Sequence, residues 1–327
     1  MHILISIQQP VLAWTIPAGQ VDRLRATFPE ITFTNALNEK DVRRVLPTAD
    51  AAFTWTLGAD MVADSPKLQW VHSSAVAAGT LPLRQLAARG IVVTNSRGIQ
   101  STAIAEHVIG GLLALSRGLP FAIRSQDAGV WAQNDMIGER SPWLVQGRRM
   151  GIIGLGTIGQ AVAARASAFG MVVVGVRRRP EQGGGLGVSA VLGPESIDNV
   201  IRSSDVLVLA APWTGATDRL LDAPALASMK RGSVLINVAR GQLVDEAALA
   251  AALQAGYLAG AVLDVFTEEP LPRTSPFWSL PNVILTPHTS GFRSDHWDAV
   301  IDLFAAQLRR FISGQPLLNQ VDCEAGY

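Results

Sequence analysis

The stretch from residue 150 to residue 170 constrains the fold of this chain more than any other. An apolar run at 150–154 leads into Gly154-Leu155-Gly156-Thr157-Ile158-Gly159, and a helical pattern follows to residue 169, with Gly170 placed to end it. A G-x-G-x-x-G spacing is weak by itself. Between a strand and a helix it predicts a βαβ unit whose turn cradles a pyrophosphate. Each glycine has its own task. Gly154 permits the tight turn, Gly156 lets a phosphate approach the backbone, and Gly159 lets the helix pack close. The amides of Thr157 and Ile158, in the first helical turn, then face the anion.

The rest of the chain agrees with an α/β reading. Apolar runs at 3–7, 31–34, 51–55, 68–72 and 91–94 predict strands separated by helices. A long apolar helix is expected over 101–118, a further amphipathic stretch to about 132, and a loop over 133–147. Strands follow at 171–176, 205–210, 233–238, 259–264 and 283–285. Asp245 caps a helix ending at Gly256, Gly183-Gly184-Gly185 and Gly187 mark a surface loop, and a last helix spans 295–312. With 327 residues, the length suits about two domains.

Composition narrows the function. Lys+Arg and Asp+Glu are 27 each, so the basic excess of a nucleic-acid binder is missing. A single cysteine, Cys323, leaves no disulfide framework, and no zinc-ligand spacing occurs, so no metal is expected. Residues 1–7 read as a strand rather than a signal peptide, no apolar run is long enough for a membrane span, and the cytoplasm is the expected compartment.

At the end of the second strand after the glycines, where an acidic residue would bond the ribose 2′-hydroxyl of NAD, the chain has Arg177-Arg178-Arg179. Guanidinium groups grip a 2′-phosphate and a carboxylate repels it, so NADP is favoured over NAD. Arg177 and Arg178 are the nearer contacts, and Arg179 adds to the field. Three later segments each follow a strand: Asn237-Val238-Ala239-Arg240-Gly241, Asp264-Val265-Phe266-Thr267-Glu268-Glu269-Pro270 and Thr286-Pro287-His288-Thr289-Ser290-Gly291. Ligands in open α/β sheets sit beyond such strand ends. One cation, one carboxylate and one imidazole can therefore meet there.

With these motifs, the sequence from about residue 68 onward resembles the D-isomer-specific 2-hydroxyacid dehydrogenase family, in particular its glyoxylate/hydroxypyruvate reductase-like members. The resemblance implies a Rossmann doubly wound parallel sheet, at 99–288, inserted into a flavodoxin-like substrate domain made of 1–98 and 289–327. It implies Arg240, Glu269 and His288 as catalytic residues. It also places Ala211, Pro212, Thr217, Val238, Ala239, Ser290 and Gly291 beside the cofactor, with Asp264 on the nicotinamide amide. Trp213 stands where the family has Leu. The substrate carboxylate is expected on the amides of Val76 and Ala77 and on Arg240. The family's usual glycine–apolar–Asp pattern is replaced there by Ala77-Ala78-Gly79, which leaves the pocket shape open. Trp14, Trp55, Trp278, Phe292 and Trp297 are candidates to shape that pocket. A homodimer is implied, with residues around 100–145, including Trp131 and Trp143, against the partner. Glu106-His107 reads as an interior or interface polar pair.

The chemistry expected is NADPH-dependent reduction of glyoxylate, hydroxypyruvate or a related 2-oxo acid to the D-2-hydroxy acid. His288 donates the proton, and becomes the base in the oxidative direction. Two alternatives stay open: the same enzyme using NADH, and a non-catalytic dinucleotide-sensing protein on the same fold.

Overall fold

The computed structural model describes residues 1–137, 141–324 and 326. The chain packs as two compact units, Met1–Ile99 with Arg293–Tyr327, and Gln100–Phe292. Residues 289–292 thus belong with the second unit, and the physical reason is local: the Thr289 and Ser290 amides bond the Asp264 carboxylate.

In the first unit, strands β1 (His2–Ser6), β2 (Thr32–Asn35), β3 (Ala51–Thr54), β4 (Trp70–Ser73) and β5 (Val92–Asn95) form a parallel sheet of order β2-β1-β3-β4-β5. This is the flavodoxin-like order. Helices α1 (Ala18–Thr27), α2 (Glu39–Val45), α3 (Ala59–Ala63) and α4 (Leu83–Ala88) connect the strands. β3 and β4 are buried along their whole length, as expected of parallel strands covered on both faces. Even His72 in β4 is fully buried. Burial pushes its imidazole down to about 3, so the ring is neutral, with Nδ1 2.7 Å from the Thr94 hydroxyl.

The second unit begins with α5 (Ser101–Ser116) and α6 (Leu119–Asp127). Its strands are β6 (Arg149–Ile153), β7 (Val172–Val176), β8 (Ala190–Leu192), β9 (Val206–Leu209), β10 (Val234–Asn237), β11 (Gly260–Leu263) and β12 (Val283–Leu285). They form one parallel sheet of order β12-β11-β10-β9-β6-β7-β8. This is the doubly wound Rossmann order extended by one strand, with its switch point between β6 and β9. Helices α7 (Thr157–Ala168), α8 (Ile197–Ser203), α9 (Ala223–Ser228) and α10 (Glu246–Gln254) join the strands. Asp245 does cap α10, its carboxylate accepting the Ala248 amide at 3.0 Å.

The chain returns to the first unit in α11 (His296–Ile312). Its Phe304 is fully buried and stacks on Phe53 at 4.2 Å and on Trp70 at 5.4 Å. Burying one such ring is worth about 1.5–3 kcal/mol, so α11 is an integral part of that core. Among the described residues no helix is long and apolar enough to cross a membrane.

Candidate active site

The glycine turn lies at the switch point. Gly154 has φ +105°, and a Cβ there would lie 2.4 Å from the Ala211 amide nitrogen and 2.5 Å from the Ala210 carbonyl carbon. β6 and β9 approach so closely there that only glycine fits. A Cβ on Gly159 would meet the Gly154 carbonyl oxygen at 2.1 Å, so α7 rests directly on the turn. Gly156 is different. It is exposed, and a Cβ there would meet nothing within 4 Å. It is also the N-cap of α7, with no side chain capping the helix. The first-turn amides, Thr157 and Ile158 among them, have no intrahelical partner. This open backbone end, bare of Cβ and of a cap, fits a pyrophosphate.

The arginines that follow β7 divide. Arg177 is half-buried, and its guanidinium donates to the Gly183 carbonyl at 2.6 Å and to the Gln182 side chain. Its fork is thus engaged by the 182–183 turn. Arg178 and Arg179 are exposed. Ala211 is buried beside Gly154, and Pro212 begins the next turn. That turn is braced by Thr217, whose hydroxyl donates to the Pro212 carbonyl at 2.7 Å and accepts the Thr214 amide at 2.8 Å. The Trp213 indole donates to Asp218 at 2.8 Å.

Register brings the three later segments together. Asn237 at the end of β10 pairs with Leu263 of β11, and Leu263 pairs with Leu285 of β12. Arg240 and His288 each come three residues after their strand's paired end, and Glu269 comes from the longer turn between them. Neighbouring strands lie about 4.8 Å apart, so the cation and the imidazole flank the carboxylate within the reach of one small molecule.

Each turn is held by its own bonds. The Asn237 side chain accepts the Ala239 amide at 3.0 Å and donates to the Arg240 carbonyl at 2.9 Å. Val238 and Ala239 are buried beneath this turn. Gly241 packs against the next one, where a Cβ would lie 2.0 Å from the Phe266 carbonyl carbon. The Glu246 carboxylate accepts the Thr267 amide at 2.6 Å. Glu269 closes its own turn, with Oε1 accepting the Phe266 amide at 2.9 Å, and its Oε2 lies 2.8 Å from His288 Nδ1.

Burial would raise the Glu269 carboxyl. Its bonds from His288 and Phe266, and the charges of His288 and Arg240, outweigh this and hold it below the usual carboxylate range. Burial lowers the Arg240 guanidinium against the pull of Glu269. It remains a cation at neutral pH, because guanidinium starts from above about 12. Arg240 forms no ion pair among the described residues, and one guanidinium nitrogen donates to the Ala239 carbonyl at 2.5 Å. His288 is exposed, and its Nε2 carries no hydrogen bond among the described residues. Its backbone is left-handed, with φ +54°, which costs a residue with a Cβ about 1–2 kcal/mol.

Asp264 is fully buried and sits on this same turn, not at its surface. Oδ1 accepts the Thr286 hydroxyl at 2.6 Å, the Thr289 amide at 2.8 Å and the Ser290 amide at 3.1 Å, and Oδ2 accepts the Ser290 amide at 3.0 Å. The carboxylate that the family resemblance turns toward a nicotinamide amide thus also braces the 286–290 turn. Ser290 and Gly291 are buried with it. Glu106 is exposed and pairs with Arg165 at 3.4 Å, while His107 lies 3.3 Å from the Thr286 hydroxyl. In the first unit, Val76 is half-buried, with its carbonyl accepting from Asn95 at 2.7 Å, and Ala77 is exposed.

Comparison with known proteins shows the family. A family model for the NAD binding domain of D-isomer specific 2-hydroxyacid dehydrogenases matches residues 109–290. A glyoxylate reductase of Pyrococcus horikoshii is 36% identical over 255 residues, covering 77% of this chain and 75% of that protein. A D-3-phosphoglycerate dehydrogenase of Mycobacterium leprae is 32% identical over 302 residues, covering 91% of this chain. The chain spans only 56% of that protein's length. A crystal structure of a D-isomer specific 2-hydroxyacid dehydrogenase from Xanthobacter autotrophicus Py2, in complex with NADPH and MES, is 31% identical. It superposes with a TM-score of 0.82 over 99% of both chains. The chain belongs to the D-isomer specific 2-hydroxyacid dehydrogenase family.

Proposed function

We propose that this protein reduces a small 2-oxo acid to the D-2-hydroxy acid with NADPH, glyoxylate and hydroxypyruvate being the first substrates to test. The observation that carries the reading is the 2.8 Å His288–Glu269 bond, which leaves Nε2 open on a turn neighbouring that of Arg240. Held at the Gly154–Gly159 turn, the dinucleotide would supply the hydride for the carbonyl carbon. Arg240 holds the substrate's carboxylate and carbonyl oxygen with its planar fork. His288 donates a proton from Nε2 as negative charge builds on that oxygen. Glu269 accepts from Nδ1 and so fixes the ring with Nε2 toward the substrate. The acid gains a hydride and a proton, and NADP⁺ remains.

The NADPH preference rests on arginine rather than an acidic residue at the three positions that follow β7, and on the exposure of Arg178 and Arg179. The NADPH named with the Xanthobacter relative supports it. Arg177, held by its own turn, shapes the site rather than gripping the phosphate. A homodimer is also proposed, because Leu119, Ile123, Val130 and Trp131 around α6 are exposed apolar side chains, and such patches mark interfaces.

Steady-state oxidation of NADPH and of NADH is followed with glyoxylate, hydroxypyruvate, 3-phosphohydroxypyruvate and larger 2-oxo acids. Turnover of at least one, lost in His288→Ala with NADPH affinity kept, supports the reading. Tight NADPH binding without turnover of any would replace it with the dinucleotide-sensing alternative.

A further inference from the structure

The loop after β4 is held from behind by the end of β5. Ala75, Val76, Ala77, Ala78 and Gly79 bring no polar side chain of their own, so the direction of their backbone is set from elsewhere. The buried Ser96 donates its amide to the Ala75 carbonyl at 3.0 Å, and the buried Asn95 donates its side-chain Nδ2 to the Val76 carbonyl at 2.7 Å. The 75–76 and 76–77 peptides are trans, so each N–H points away from the carbonyl of its own peptide. With both carbonyls turned toward 95–96, the Val76 and Ala77 amides are turned the other way. Neither donates a hydrogen bond among the described residues. Asn95 is itself fixed. Its Oδ1 accepts the Arg97 amide at 3.2 Å, which leaves Nδ2 as the end that faces Val76. Asn319, in the segment after α11, is left-handed at φ +53°. Its side chain donates to the Arg97 carbonyl at 2.9 Å and to the Asn95 carbonyl at 3.3 Å, and its own carbonyl accepts the Asn95 amide at 3.1 Å. Gln307, fully buried on α11, accepts the Leu318 amide at 2.9 Å and donates to the Leu318 carbonyl. A chain of bonds thus runs from α11 through Leu318, Asn319 and Asn95 to the Val76 carbonyl.

We propose that Asn95 is a positioning residue that turns the Val76 and Ala77 amides outward as donors to the substrate's carboxylate, and that Asn319 locks Asn95 in that place. The carboxylate rests on the reductase reading, whereas the bonds that turn the loop do not depend on it. Asn95 acts through the Val76 carbonyl. It sets how tightly a carboxylate is held, and not how the dinucleotide is held at the glycine turn of the second unit.

Asn95→Ser keeps a polar group too short to reach Val76, and Asn319→Gly keeps the left-handed backbone without the side-chain amide. Protein labelled with ¹³C-carbonyl valine and ¹⁵N-alanine reports its Val–Ala peptides, at 62–63, 76–77, 162–163 and 238–239. The 76–77 signal is the one lost in Val76→Ile. In the apo protein, Asn95→Ser moves the Val76 carbonyl carbon upfield as its hydrogen bond is lost, and Asn319→Gly moves it the same way by less. Oxamate, a carboxylate that is not reduced, is then titrated with NADPH present. It moves the Ala77 amide in the wild type and binds about tenfold more weakly in Asn95→Ser. With a 2-oxo acid, Asn95→Ser raises KM by about tenfold, with kcat within about threefold and the NADPH Kd within about twofold of the wild type. Asn319→Gly raises KM by less and adds little in the Asn95→Ser background. A Val76 carbonyl unmoved in Asn95→Ser, or a wild-type Ala77 amide that saturating oxamate does not move, overturns the proposal. A loss of kcat or of NADPH affinity as large as the rise in KM also overturns it, because general loosening of the fold gives that pattern. A wild-type KM in Asn319→Gly overturns the lock. If Asn95→Ser does not fold, Asn319→Gly carries the same comparisons. If the wild type reduces no 2-oxo acid, the reductase reading falls, and the NMR and oxamate titrations still decide this one.

Discussion

Gly156 and Gly159, one turn of chain apart, respond to the same added methyl group in opposite ways. Gly159→Ala sets a Cβ 2.1 Å from the Gly154 carbonyl oxygen, a backbone atom that must retreat by about 1 Å to reach ordinary contact. Such overpacking costs about 1–3 kcal/mol. The gain in helix propensity returns at most about 1 kcal/mol, so a net loss of about 1–2 kcal/mol remains. For a unit of this size that is a fall in Tm of about 2–8 °C. Gly156→Ala meets no atom within 4 Å, and costs only the weaker N-cap, about 0.5 kcal/mol. Its methyl instead fills the space through which a pyrophosphate reaches the α7 amides. The assay is thermal melting with and without NADPH. At a concentration of 100 Kd the wild type gains about 2.7 kcal/mol, and a tenfold weaker site halves that gain. Gly156→Ala is therefore expected to melt near the wild type alone and to lose at least half of the NADPH-induced rise. A full rise in Gly156→Ala would show that no phosphate passes over this backbone, and an unchanged apo Tm in Gly159→Ala would refute the packing argument.

Glu269 ties stability to pH. Its folded-state pKa is depressed, so its contribution is present above the ordinary carboxylate range of about 4.3 and is lost as pH falls through the lower folded value. Glu269→Gln is expected to flatten the acid limb of a urea-midpoint profile below about pH 5, and by a small amount, because the side chain is about one-third exposed. An acid limb as steep as the wild type's would contradict the depressed pKa. For the cofactor, Arg178→Ala is expected to weaken NADPH by about tenfold or more and to spare NADH. Arg177→Ala releases Gln182 and Gly183 and weakens both. Fluorescence titration separates the two, and equal losses for NADPH and NADH in Arg178→Ala would remove that residue from the 2′-phosphate.

Much of this fold is legible in the sequence because strand, glycine turn and helix follow one another without interruption. The expected strands at 150–154 and 283–285 meet β6 and β12 closely, and Asp245 caps α10 as its place before an Ala/Leu run implies. The sequence predicts no strand at β8. It has only three residues after a run of glycines, too few to show a period. The braces are harder still to read. Gly241 looks like one more turn glycine, and nothing local says that a peptide of another segment lies where its Cβ would be. The family resemblance turns Asp264 and Thr217 toward the cofactor, and nothing local shows that Thr217 also braces its own turn or that Asp264 also holds the turn after β12. A polar residue after a strand has the same local pattern whether it faces a ligand or caps the backbone. Arg177 illustrates the same ambiguity, because its partners follow it by five and six residues in a turn of no regular period.

Glu269 does two things at once, and the two can be separated. One oxygen closes its own turn on the Phe266 amide, and the other meets His288 Nδ1. Glutamine keeps the reach but loses the charge, and can turn its amide toward Nδ1 as a donor. His288 then keeps its proton on Nε2 as a neutral ring, and giving that proton up would leave an imidazolate. Aspartate keeps the charge but is one methylene shorter, by about 1.5 Å, and cannot hold both bonds. A water can bridge that gap at little cost in enthalpy, whereas no water restores the proton to Nδ1. Losing a charge-assisted bond of about 1.5–3 kcal/mol amounts to a factor of about 10–150 in kcat. The expected order of kcat is therefore wild type, then Glu269→Asp, then Glu269→Gln, with NADPH affinity similar in all three. If Glu269→Gln were the faster variant, reach rather than charge would be what the imidazole needs, and the carboxylate charge would not be what the proton transfer draws on.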